Sequence, residues 1–134
     1  MKIIFTIFLI LFTQFLFSQE LSVLDKQKIQ KVNNTADDYV GKKFKNLLQD
    51  LPEIKMIRIA PDMPQLGFST IIIGFVNNAK YSEMFRNNIK REVLILYVKG
   101  FEGDREKSLK LDINKKEAIK KYGNLEIVAV LKRQ

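Results

Sequence analysis

The chain contains no cysteine, no histidine and no tryptophan among its 134 residues. Without cysteine there is no disulfide, no thiol nucleophile, no zinc–thiolate site and no attachment point for a lipoprotein lipid. Without histidine the commonest general base and the commonest metal ligand are gone, and with them any Ser–His or Cys–His pairing. The lack of tryptophan weakens sugar stacking as a function, although Tyr39, Tyr81, Tyr97 and Tyr122 remain. Glycine and proline are sparse, at six and three. The glycines are scattered, so neither G-x-G-x-x-G nor G-x-x-x-x-G-K-[ST] forms a phosphate cradle.

What is present begins with an apolar run. Lys2 is followed by Ile3 to Phe17, interrupted only by Thr6, Thr13 and Gln14, and then by Ser18-Gln19-Glu20. A basic start, an apolar stretch and a small residue at the end are the layout of a secretory signal peptide, here residues 1–18, cut between Ser18 and Gln19. A spanning helix needs about 20 apolar residues, and this run is shorter and lacks a basic stop-transfer flank. Leu16 is larger than the position three before the cut favours, so a retained anchor is the alternative. The expected destination is the periplasm or the outside of a bacterial cell. Stability there must come from packing, and the chain after the leader is long enough for one core.

The formal net charge is +8, with 18 lysines against 5 arginines interspersed with acids. Bidentate phosphate recognition favours arginine, so this balance argues against a nucleic-acid partner and for a solvated basic surface. The densest basic run, Lys107, Lys110, Lys115, Lys116, Lys120 and Lys121, is the candidate patch for an anionic partner. The proline-bracketed loop from Pro61 to Gly67 is the candidate binding loop, through Asp62, Met63 and Gln65.

After a polar segment, residues 19–34, the spacing predicts one helix from Thr35 to Leu51. Ala36, Val40, Phe44, Leu47, Leu48 and Leu51 make its stripe, with Thr35 as N-cap and Pro52 as stop. Gly41 is its soft point, or the true start of the helix. Strands follow at Ile54 to Ala60, Phe68 to Val76 and Arg91 to Phe101. The last two are apolar on both sides, as in the middle of a sheet. Tyr81, Met84 and Phe85 are spaced like a helical turn. Ser108 to Ile113 alternates cleanly and predicts a hairpin with the preceding strand. Asn114 and Glu117 form a capping box for a helix over Lys115 to Tyr122, with Gly123 as its C-cap. Leu125 to Leu131 is a last strand, expected to run parallel to the strand before that helix by a right-handed crossover.

These elements predict a single two-layer α+β domain over residues 35–134, in the order α-β-β-β-β-α-β. Its sheet is mixed or antiparallel, about five-stranded, and packed against two main helices. Two helices shield one face, so part of the other needs the N-terminal segment, the Tyr81–Phe85 turn or a second molecule as cover; self-association is one solution.

No catalytic, cofactor-binding or metal-binding set emerges. Asp37 and Asp38 are adjacent and suit a helix N-terminus rather than an acid–base pair. Glu102, Asp104 and Glu106 lack the order of a calcium loop. The leading expectation is a small exported non-enzymatic domain that binds a protein or another envelope macromolecule. An inhibitor or immunity-type protein is the second, and a hydrolase working through carboxylates alone the third.

Overall fold

The computed structural model describes residue 4 and residues 21–60, 67–101 and 108–131. The expected leader, the loop carrying Asp62, Met63 and Gln65, and the acidic turn with Lys107 therefore lie outside the described residues, apart from Ile4. In chain order the elements are α1 (Val23–Asn34), a 3-10 turn (Ala36–Tyr39), α2 (Phe44–Asp50), β1 (Met56–Ala60) and β2 (Ser69–Gly74). Then come α3 (Asn78–Arg86), β3 (Val93–Lys99), β4 (Leu109–Asp112), α4 (Lys115–Tyr122) and β5 (Glu126–Leu131). Among the described residues no helix is long and apolar enough to cross a membrane.

The five strands form one sheet in the order β4-β1-β2-β3-β5, and every neighbouring pair is antiparallel. The chain is thus of the α+β class, with an antiparallel rather than a mixed sheet. The two strands expected at the centre, β2 and β3, are there. The expected β3–β4 hairpin is not: β4 pairs with β1, placing Leu109 opposite Ile59 and Leu111 opposite Ile57. The same alternation explains why. Lys110 and Asp112 are exposed, which suits an edge strand, whereas β3 is apolar on both faces and takes β2 and β5 as neighbours. Four antiparallel pairings separate β4 from β5, so the two run in the same direction, but at opposite edges.

Alternation sends Ile57, Ile59, Ile71, Ile73, Leu94 and Leu96 to one face, where they share a core with Ile29, Val32, Phe44, Leu47, Leu48 and Ala118. On the other face Met56 and Val93 gather around Tyr81 of α3. Helical residues therefore meet both faces of the sheet, not one.

The long helix expected over Thr35 to Leu51 is broken in two at Gly41, which has φ +82°. Thr35 consequently does not cap it. Its hydroxyl and its N–H both donate to the Lys31 carbonyl, closing the end of α1 instead. After Gly41 the chain runs along the outer edge of β5. The Gly41 N–H donates to the Ile127 carbonyl (2.8 Å), the Ile127 N–H to Lys42 (2.9 Å) and the Phe44 N–H to Leu125 (2.7 Å). The break thus satisfies backbone groups that an edge strand would leave unpaired. The 3-10 turn is tied to the end of α2, because the Tyr39 hydroxyl donates to Asp50 Oδ2 at 2.6 Å. Burial, and next the Asp50 carboxylate, push the Tyr39 phenol up to about 12.

The start of α4 is as read: the Asn114 side chain accepts from the Glu117 N–H at 2.8 Å. Gly123 follows it, but with right-handed backbone angles (φ −60°, ψ −23°) rather than left-handed ones. Glycine is required there by close approach, since a Cβ would lie 2.3 Å from the Ile119 carbonyl oxygen and 3.1 Å from Lys45 Cβ.

A Cβ at Gly41 would meet nothing within 4 Å, so Gly41→Ala isolates the backbone cost of the left-handed angle. We expect a loss of roughly 1–2 kcal/mol in urea unfolding, with the slope unchanged. An unchanged midpoint would contradict the break.

Candidate functional site

The structure disperses the predicted basic patch. Lys107 is outside the described residues. Lys110 stands opposite Arg58 in register, and so on the sheet face away from α4. Lys115 is half-buried and its ammonium donates to the Leu51 carbonyl, while its backbone N–H donates to Glu53 at 2.7 Å. These two bonds hold the α2–β1 connection against the start of α4, a structural use of the charge. Lys116, Lys120 and Lys121 remain exposed on α4, on a convex helix surface.

A better-organised site lies at α3, where sequence reasoning saw only a polar segment with one helical turn. Asn77 caps α3 by accepting the Lys80 N–H at 2.8 Å. Asp112, at the edge of the sheet, accepts both the backbone N–H (2.7 Å) and the side-chain amide (3.0 Å) of Asn78. Arg58, the one cation in an otherwise apolar β1, points up at the helix. Its Nε donates to Asn78 Oδ1 at 2.9 Å, and its Nη2 donates to Ser82 Oγ at 3.1 Å. The same guanidinium lies 4.2 Å from the Tyr81 ring centroid. Arg91 approaches from the strand side, 4.7 Å from the Tyr81 centroid and 4.6 Å from that of Phe85. Cation–π contacts of this kind are worth about 0.5–2 kcal/mol, rising with desolvation. Tyr81 is buried despite its hydroxyl and serves as the pivot of the helix.

Beside this pivot opens a cleft of about 650 Å³, lined by Leu21, Phe75, Val76, Met84 and Ile89 together with Lys26, Lys80, Lys90, Arg91 and Glu92. It sits between the start of α1, the end of β2, α3 and the segment leading into β3. Half of the lining is apolar, and the rest is four cations against one carboxylate. Lys80 also pairs with Glu83 at 3.5 Å, an exposed contact of little energy. Ile89 is 49% exposed at this cleft, and Phe85 on α3 is 62% exposed despite the Arg91 guanidinium over its ring.

The same sheet face continues beyond α3 as a half-buried strip. Ile72, Ile95 and Tyr97 are partly exposed, with Phe68 and Tyr97 rings tilted at 4.6 Å, and Leu131 is 40% exposed at its edge. Of the three covers expected for this face, the Tyr81–Phe85 helix supplies part.

Among the described residues no group of three or more His, Cys, Asp or Glu side chains is placed to hold a metal ion. The raised phenols of Tyr39 and Tyr122 both stem first from burial, and both belong to the core on the opposite sheet face. No protein-family model, curated protein or solved structure matches the chain.

In the sequence Arg58 is only the odd residue of one expected strand, and Arg91 the first residue of another, Arg91 to Phe101. What makes them a site is α3 folding back over β1 and β3, a long-range arrangement without local signal. Arg58→Lys keeps the charge but loses the planar fork that reaches Asn78 and Ser82 together. It should cost about 1–2 kcal/mol and speed amide exchange in α3 while α2 stays protected. Equal acceleration in both helices would contradict the clamp.

Proposed function

We propose that the chain is an exported, non-enzymatic binding domain of the cell envelope, and that the cleft beside α3 is its ligand site. The single observation that carries this reading is the cleft's make-up: apolar walls, a cationic rim and about 650 Å³ of volume. That lies within the range of about 300–1,000 Å³ typical of small-ligand sites, which are mostly apolar with a few placed polar groups. A concave basic rim also focuses its field on an incoming anion more strongly than the convex lysine face of α4. Export rests on the layout of residues 1–18, and the absence of a histidine or cysteine nucleophile in the sequence supports a binding role over a catalytic one. A second reading, self-association through Ile72, Ile95 and Tyr97, is favoured by the half-buried strip on the same face.

Methyl-labelled protein titrated with a detergent-free extract of the native envelope tests the site. Shifts should concentrate on Met84, Ile89 and Val76 and vanish in Met84→Glu. Shifts centred on Ala118 and Ile119 of α4, or concentration-dependent shifts at Ile72 and Ile95 without extract, would move the function to the lysine face or to self-association and overturn the cleft.

A further inference from the structure

We propose that the cleft takes a single-chain anionic amphiphile, an alkyl tail with a carboxylate or phosphate head, the head bound at Arg91 and Lys90 and the tail along Phe75, Met84 and Ile89. This rests on the cleft being the ligand site.

The lining is divided by chemistry. Leu21, Phe75, Val76, Met84 and Ile89 contribute no hydrogen-bonding group beyond the weak thioether of Met84, and the remaining side chains are charged. No serine, threonine, asparagine or glutamine side chain is among the described lining residues. A sugar, a nucleobase or a peptide carries donors as well as acceptors, and each group withdrawn from water needs a partner. Among the described residues, the side chains of this cleft offer many N–H donors but, in Glu92, one strong acceptor. A ligand matched to that surface is acceptor-only at one end and apolar at the other. An alkyl chain has no polar group to satisfy, and each methylene it buries adds about fourfold to affinity. Met84 suits a tail without fixed shape, because an unbranched thioether side chain repacks around irregular apolar surface.

The head is placed by the aromatic stack. The Arg91 guanidinium lies against both Tyr81 and Phe85, and Tyr81 is in turn held by Arg58. A planar cation seated on two rings loses little further freedom when it meets an oxyanion. Lys90 is the neighbouring point charge at the rim. Lys26, across the cleft on α1, adds to the same field.

Calorimetric titration of the full chain, purified without detergent, uses probes below their micelle concentrations. Laurate and dodecyl phosphate should both bind. Octanoate should be weaker than laurate by at least about tenfold, and acetate and dodecyltrimethylammonium should not bind. If laurate binds and dodecyl phosphate does not, the head is a carboxylate; the reverse assigns a phosphate head. Arg91→Gln and Lys90→Gln should each weaken the preferred anion about tenfold or more, and Lys116→Gln should not. Lys90→Gln, at an exposed position, keeps the test open if Arg91→Gln does not fold. Equal binding of the cationic amphiphile, or indifference to both substitutions, overturns the proposal. If envelope extract shifts the cleft methyls while neither anionic probe binds, the ligand class falls and the site stands; if neither does, both fall.

Discussion

The contact between the Tyr81 ring and two guanidinium groups ties together three parts of the chain that are distant in sequence. Arg58 comes from the sheet, Tyr81 from α3 and Arg91 from the approach to β3. A nine-residue helix with a single buried side chain has little hydrophobic area of its own to hold it on a sheet. Its position depends on polar restraint: Asp112 at its first N–H, Arg58 along its underside and the paired guanidinium contacts on Tyr81. Because α3 forms one wall of the cleft, the shape of the candidate site follows from this restraint together with Phe75 and Leu21, which the main core supplies.

The main core reaches the cleft only at its border, through Phe75 and Leu21 among the described lining residues. Phe44, Leu47, Leu48, Ile57, Ile73 and Leu96 are wholly buried on the far side of the sheet, and the Gly41–Phe44 segment fastens the first half of the chain to the last strand. The lysine excess is divided in the same way. Lys115 holds a loop to a helix start, Lys116, Lys120 and Lys121 face solvent, and Lys26, Lys80 and Lys90 surround apolar surface. Only the last group is set where charge and hydrophobicity meet in a concavity, and that combination selects among ligands where a solvated face does not.

Patterning in the sequence reveals most of the elements and little of their assembly. The two apolar strands, the alternating edge strand and the Asn114–Glu117 helix start are local signals, and each appears in the structure where its residues place it. The register of β4 was not legible, because pairing with β1 instead of β3 depends on which neighbours β3 requires on both sides. Gly41 was visible as a weak point in a helical stripe whose spacing continues unbroken across it. The left-handed angle at that residue is rewarded by hydrogen bonds to Ile127 and Leu125, some eighty residues away. The site was less legible still: Arg58, Tyr81 and Arg91 share no motif and no spacing, and the densest run of lysines drew attention to α4 instead.

A crystal structure of the protein grown with laurate tests the central claim most directly. The account predicts a carboxylate within hydrogen-bond reach of the Arg91 guanidinium and an alkyl chain against Phe75, Met84 and Ile89, with α3 still seated on Arg58. Laurate lying instead on the strip around Ile72 and Tyr97, with the cleft closed by displacement of α3, would contradict it.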